Sequence, residues 1–326
     1  MSGRYGIISV GTNSARLLLA DVSGDLPRVA LARTVGTRIG AGIGDRGHLG
    51  EEPARRTLDA IAQFHREIRG RYVRLFAIAT SALRRADNGE EFLQRAGELL
   101  GVPVRVLSGE EEARASYRGA ITALGRLRGE RVGVVDTGGG STEFAAGTGA
   151  TPERVLSCEI GAVRLTEEVP ALAGIGGAVD AASLDRARAL AREALAALPD
   201  GEPLARLALV GGTATTTASI VRGRSAPVDA YRLTRADLQS VLGRLTEMTL
   251  EQRKAVPGMR AQRADILPGG IVLLETALEL LGMDEATATG SDLLLGVLLE
   301  QRDAEGGAGA GRPARAGSET PKGYRP

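Results

Sequence analysis

The stretch RVGVVDTGGGSTEFAAG, Arg131 to Gly147, decides how the chain reads. It is written as an apolar strand (Val132, Val134, Val135), three consecutive glycines, and a second strand (Thr142, Phe144, Ala145). Glycine takes positive φ freely and lets backbone N–H groups close on an anion, so Gly138, Gly139, Gly140 and Ser141 form a candidate phosphate nest. With the turn there, Thr137 opposes Thr142 and Asp136 opposes Glu143 in an antiparallel ladder. Directly opposed residues have Cβ atoms about 4.5–5.5 Å apart, and like charges so placed repel. Two opposed carboxylates beside an anion nest ask for a cation. A glycine-rich surface hairpin carrying two solvated acids is the plainer alternative.

Working outward, Gly6 to Asp21 (GIISVGTNSARLLLAD) repeats this design. Gly11 falls on Gly138, Ser14 on Ser141, and Ser9 on Asp136, and the same register sets Ser9 opposite Arg16. Two hairpins of one design in two halves of a chain predict related domains facing each other across a cleft.

The rest of the sequence alternates strands with helices, which argues an α/β architecture. Apolar periodicity predicts helices over Glu51–Arg69, Ser183–Leu198 and Arg263–Leu281, the last interrupted by Pro268, Gly269 and Gly270. Strands are expected at Val73–Ala79, Val102–Leu107, Arg154–Ile160, Leu207–Val210 and Ala286–Thr289. Ala162–Val169 reads as a short helix and Leu293–Leu299 as the last one. Asn88 with Glu91, Ser108 with Glu111, and Thr234 with Asp237 read as capping boxes. Behind Ser108 stand Glu110, Glu111 and Glu112. The helix macrodipole favours acids there, and periodicity does not choose a catalytic one among them. GGTATTTAS, from Gly211 through Thr213, is either a second anion site at a helix N-terminus or simply a tight strand-to-helix connection.

Composition narrows the function. A net charge of +1 gives no reason to expect nucleic acid or an anionic membrane as partner. No apolar run approaches a membrane span and the N-terminus does not read as a signal peptide, so a cytoplasmic protein is expected. The single cysteine, Cys158, leaves no internal disulfide and reads as a buried small hydrophobe. Only His48 and His65 are present, and neither a Walker loop nor a GxGxxG after a strand occurs.

Taken together, GTNSARLL at Gly11, ATSALRRADNGEEFL at Ala79, SGEEEAR at Ser108, VVDTGGGSTE at Val134, GAVRLTE at Gly161, GGTATTTA at Gly211 and RADILPGG at Arg263 resemble the exopolyphosphatase / guanosine pentaphosphate phosphatase (Ppx/GppA) family, within the actin-like, sugar-kinase-like and Hsp70-like superfamily. The resemblance implies two actin-like (ribonuclease H-like) α/β domains, each a mixed five-stranded sheet flanked by helices, here 1–124 and 125–302; the composition of 303–326 reads separately as a disordered tail. The resemblance also implies hydrolysis of terminal phosphate from inorganic polyphosphate or pppGpp with Mg²⁺ in the interdomain cleft, and it allows a homodimer. It matches Glu112 to the family's catalytic base, and Asp136 and Glu143 to the acids that handle metal and water. Gly138 to Ser141 match the phosphate loop, and Asn13, Ser14 and Arg84 match residues facing the substrate phosphates; Gly11 and Thr12 complete the first turn.

Two positions depart from the family pattern. Ser9 stands where the family carries Asp, which is expected to cost Arg16 its carboxylate partner. Leu293-Leu294-Leu295-Gly296 replaces Leu-Arg-Glu-Gly. These departures keep a catalytically weak polyphosphate or (p)ppGpp sensor in view beside the hydrolase. A sugar kinase or filament protein of the same fold fits SGEEEAR less well.

Overall fold

The structure, a computed structural model, describes residues 3–309 apart from 25, 44–46, 126–128 and 202. The first half forms β1 (Arg4–Val10), β2 (Ala15–Asp21), β3 (Arg28–Val35), α1 (Glu51–Ile68), β4 (Arg74–Ala79), α2 (Ser81–Arg85), α3 (Gly89–Leu100), β5 (Val104–Val106) and α4 (Gly109–Ala120). Its five strands lie in the order β3-β2-β1-β4-β5, antiparallel on one side of β1 and parallel on the other.

The second half repeats the plan. It forms β6 (Val132–Thr137), β7 (Thr142–Gly147), β8 (Arg154–Cys158), α5 (Ala162–Glu168), α6 (Ala181–Ala194), β9 (Arg206–Val210) and α7 (Gly211–Val221). There follow β10 (Tyr231–Thr234), α8 (Arg235–Thr246), α9 (Leu250–Lys254), α10 (Leu267–Leu280), β11 (Glu285–Ala288) and α11 (Leu293–Gly309). The sheet order is β10-β11-β9-β6-β7-β8. The fold is thus the expected pair of mixed α/β domains, but the second sheet has six strands rather than five. The addition is β10, which pairs antiparallel with β11 through Tyr231 to Thr234.

Both hairpins hold the expected register: Ser9 opposes Arg16, Asp136 opposes Glu143, and Thr137 opposes Thr142. The two domains exchange helices. α4, from the first half, packs Ala113, Tyr117 and Ala120 against Val132, Val134 and Ala208 of the second sheet. α11, from the end of the chain, packs Leu294, Leu295 and Leu298 against Ile7 and Leu18 of the first. Where α4 and α11 cross, Gly119 and Gly296 let the backbones touch; a methyl on Gly296 would stand 1.7 Å from the Ala115 carbonyl.

Several local expectations change. Asn88 does not cap α3: its side chain instead holds the backbone of Leu49 from both sides, accepting at 2.8 Å and donating at 3.1 Å. Pro268 does not interrupt a helix; it stands in the first turn of α10, where its missing N–H costs nothing, and a separate 3-10 turn, Ala261–Arg263, precedes it. α11 continues past residue 302 to Gly309, tied by Arg118 to Asp303 at 2.8 Å and by Tyr5 donating to Glu305 at 2.5 Å. The remainder of the expected tail lies outside the described residues. Ser108 and Thr234 make their capping boxes as expected.

Candidate active site

The two hairpin turns meet tip to tip between the sheets and line one small cleft. Its walls include Gly11, Thr12, Asn13 and Ser14 from the first turn and Gly138, Gly139, Gly140 and Ser141 from the second. Glu112, Asp136, Glu143, Gly211 and Gly212 complete it, so nearly all the residues singled out in the sequence are neighbours. Arg84 is one exception and Thr213 the other. The Thr213 side chain is buried against Gly270 of α10 and does not line the cleft.

Backbone bonds fix the turns from behind. The Arg38 and Gly40 amides donate to the carbonyls of Asn13 and Thr12 at 3.0 and 2.9 Å. The Ala162 and Val163 amides donate to Gly138 and Gly139 at 3.0 and 2.9 Å. Asn13 donates to Ser14 Oγ at 3.1 Å, which leaves its Oδ1 buried without a partner.

Three acids converge here and all resist ionisation. Glu112 is buried where Glu110 and Glu111 on the same helix are exposed. Burial, opposed by Arg84 and reinforced by Asp136 and Glu159, pushes its carboxyl up to about 7. Burial and then the nearby Asp292 push Asp136 up to about 6, against the pull of a 2.6 Å bond from Ser116 Oγ and the charges of Arg16 and Arg263. Glu143, taking a 2.9 Å bond from Ser157, is raised well above the ordinary range by burial and then by Glu112 and Asp136. Desolvation thus outweighs the ion pair at Glu112.

Arg84 does not line the cleft directly. It donates to Glu112 at 2.6 Å, to the Leu107 carbonyl at 2.8 Å, and to Glu159 of the opposite domain at 2.9 Å.

Sequence reasoning missed three groups. Arg16 is not orphaned by Ser9: Asp292, at the head of α11, pairs with it at 2.5 Å. Arg263 comes down on Gly212 so closely that a Cβ there would stand 1.8 Å from its guanidinium carbon. Burial, and then Arg260 and Arg16, pull Arg263 down to about 10. Glu159 carries no motif at all. For Arg263 the paired glycines at 211 and 212 were the available signal. Gly211 has φ +88° and brings the start of α7 against the Asp136 carboxylate.

A second, larger cavity of about 1150 Å³ opens off the cleft. It shares Ser14, Arg16, Gly211, Gly212 and Arg263 with the cleft and continues along Leu31, Leu294 and Leu295.

A two-domain actin-like scaffold with facing hairpin turns and converging acids in its cleft places the chain in the actin-like fold class. This chain belongs to the Ppx/GppA phosphatase family, whose family model matches residues 18–305. It is 35% identical over 322 residues to exopolyphosphatase 2 of Mycobacterium tuberculosis, covering 91% of this chain and 98% of that one. Among solved structures it resembles an exopolyphosphatase from Cytophaga hutchinsonii (TM-score 0.81, 26% identity, 92% and 98% covered). It also resembles the Aquifex aeolicus Ppx/GppA family member (TM-score 0.77, 28% identity, 93% and 98% covered). Among the described residues no helix is long and apolar enough to cross a membrane.

Proposed function

We propose that the protein is a cytoplasmic, Mg²⁺-dependent exopolyphosphatase that removes the terminal phosphoryl group of inorganic polyphosphate as orthophosphate. The observation that carries this reading is the trio of buried Glu112, buried Glu143 and half-buried Asp136 facing the two hairpin turns in one cleft. Amides of the Gly11–Ser14 and Gly138–Ser141 turns would hold the terminal group, and Arg84 would spread its developing charge. Glu112, with an affinity for protons poised near neutrality, takes the proton of the attacking water. The bridging P–O bond then breaks, and the shortened chain leaves.

The donor set suits Mg²⁺. Asp136 and Glu143 repel one another, and a bound cation would offset the charge they present to a polyanion. Among the described residues no group of three or more His, Cys, Asp or Glu side chains is arranged to hold a metal alone. Mg²⁺ is commonly held by one or two carboxylates together with substrate phosphates and water, so Asp136 and Glu143 would share it with the substrate. When bound it neutralises phosphoryl charge and polarises the scissile group.

The adjoining cavity favours a second reading, a pppGpp 5′-phosphatase. Its wall sets Leu31, Leu294 and Leu295 beside Arg16, Arg33, Arg260 and Arg263, a lining that would suit a ring system joined to phosphates. Orthophosphate release from long-chain polyphosphate, tripolyphosphate and pppGpp, side by side with and without Mg²⁺, tests both. Release from pppGpp alone would favour the second reading. Binding without release from any of the three would leave the sensor.

A further inference from the structure

The hydrolase reading uses Arg84 but leaves unexplained why its second face is held by an acid on the other domain. Glu159 follows β8, on the turn that backs the second nest: Thr142 Oγ1 donates to the Ile160 carbonyl at 2.7 Å, and Gly161 packs on Gly139. From there the Glu159 carboxylate reaches across to Arg84 Nη2 at 2.9 Å, stands 3.5 Å from Ser81 Oγ, and stands 3.5 Å from Arg164. Arg84 therefore holds two carboxylates with unlike environments. Glu112 retains 7% of its side-chain exposure and Glu159 retains 49%. A buried ion pair is costly to break because it leaves a charge stranded, whereas an exposed one is worth little and exchanges readily. An anion arriving from solvent would displace Glu159 and leave Glu112 in place.

We propose that Glu159 is a positioning and specificity-determining residue: it occupies the second face of Arg84 until a substrate phosphoryl group takes that face. It holds the guanidinium pointed across the cleft, keeps Arg164 partly neutralised, and sets a threshold of charge that an incoming anion must exceed. A planar fork matched to carboxylate or phosphate makes the exchange geometrically simple. The inference rests on the phosphate-binding reading of the cleft.

The test measures binding of inorganic tripolyphosphate by calorimetry in EDTA, in wild type, Glu159→Gln, Glu159→Asp, and the Arg84→Ala and Arg84→Ala/Glu159→Gln pair. Glu159→Gln is expected to bind about two- to fivefold more tightly, the worth of an exposed ion pair. Glu159→Asp, which keeps the charge, should stay nearer wild type, and the gain should vanish when Arg84 is absent. In turnover with Mg²⁺, KM should fall by the same factor while kcat holds. A purely structural Glu159 would lower the thermal midpoint and leave the affinity alone. Unchanged or weaker binding, a gain that persists without Arg84, or no binding by any variant would each overturn the inference. A wild type that shows the expected affinity pattern but releases no phosphate would remove the hydrolase reading and leave the role of Glu159 standing.

Discussion

In the first hairpin the Gly11 amide donates to the Ser14 carbonyl at 3.0 Å, and in the second the Gly138 amide donates to Ser141 at 3.0 Å. Between these matched ends the turns differ, Thr12-Asn13 in one and Gly139-Gly140 in the other. The difference is steric complementarity. A Cβ on Gly140 would stand 2.7 Å from Thr12 Oγ1 and Ser81 Oγ, and one on Gly139 would stand 3.1 Å from Thr12 Cβ. Side chains on both turns would collide, and glycines on both would leave a void. The ladder behind each tip differs in charge as well. Ser9 and Arg16 face each other in the first, and Asp136 and Glu143 in the second. A repeated backbone supplies two matching turns, while the side chains behind them differ, Ser9 and Arg16 in one half and two acids in the other.

The largest expected effect belongs to the acid that faces both hairpins and lies in neither. Glu112→Gln should cut phosphate release by about 10²–10⁴-fold, the usual contribution of a general base. Glu111→Gln should retain near wild-type turnover, since Glu111 closes the capping box of Ser108 and pairs with Arg105 at 3.9 Å, away from the cleft. Equal losses at both positions, measured as initial rates at saturating substrate, would mean that Glu112 is not the base.

Stability should answer with opposite signs in the two hairpins. Asp136 binds a proton more tightly folded, at about 6, than its ordinary 3.8. Its ionised form therefore destabilises the metal-free fold, a penalty that grows as pH rises from about 4 to about 6. Asp136→Asn should raise the metal-free melting temperature at pH 8 by the equivalent of up to about 3 kcal/mol, and the advantage should close near pH 4. The same variant should need more Mg²⁺ for any residual activity. Arg16→Met in the first hairpin strands the buried Asp292 and should instead cost about 2–3 kcal/mol at pH 8. Thermal unfolding of both variants in EDTA gives the answer, and shifts of the same sign would dissolve the contrast.

The steric half of the comparison breaks at Gly140. Gly140→Ala forces a methyl into Thr12 and Ser81 and should cost about 1–3 kcal/mol. Adding Thr12→Ala should return part of that loss, because the knob and the hole are then exchanged. Denaturant unfolding of the single and double variants measures the coupling. Simple additivity would show that the tips do not dock on each other.

These hairpins were legible because a glycine run fixes the turn, and the turn fixes every cross-strand pair behind it. The choice among Glu110, Glu111 and Glu112 was not legible from periodicity, and the reason lies in α4. It packs Ala113 and Tyr117 on one sheet while Ala115 and Gly119 meet α11, so both flanks are buried and no single apolar face points to the cleft. Asp292 was invisible because its partner, Arg16, lies 276 residues away and no local pattern joins them. Strand β10 escaped because four residues carry too little alternation to be read. Pro268 misled because a proline that breaks a helix and one that begins a helix look alike until the preceding turn is known.

The smallest effect is expected at Ser9. From sequence, Ser9→Asp restores a carboxylate to Arg16 and tightens Mg²⁺. With Asp292 already 2.5 Å from Arg16, the new carboxylate must share that cation. A full charge-assisted bond contributes about 1.5–3 kcal/mol, and a shared one contributes less. Ser9 is 3% exposed and lines the cleft with Glu112, Asp136 and Glu143, so the substitution adds a negative charge to a group that already resists ionisation. Both costs are recovered only when a cation arrives. The half-saturating Mg²⁺ concentration for polyphosphate hydrolysis should therefore fall, by less than about tenfold, while the metal-free melting temperature at pH 8 drops slightly and Mg²⁺ restores it. If the metal-free protein were instead more stable and its Mg²⁺ requirement unchanged, the aspartate would have taken Arg16 from Asp292. Position 9 would then tune the fold of the first hairpin and not the chemistry of the cleft.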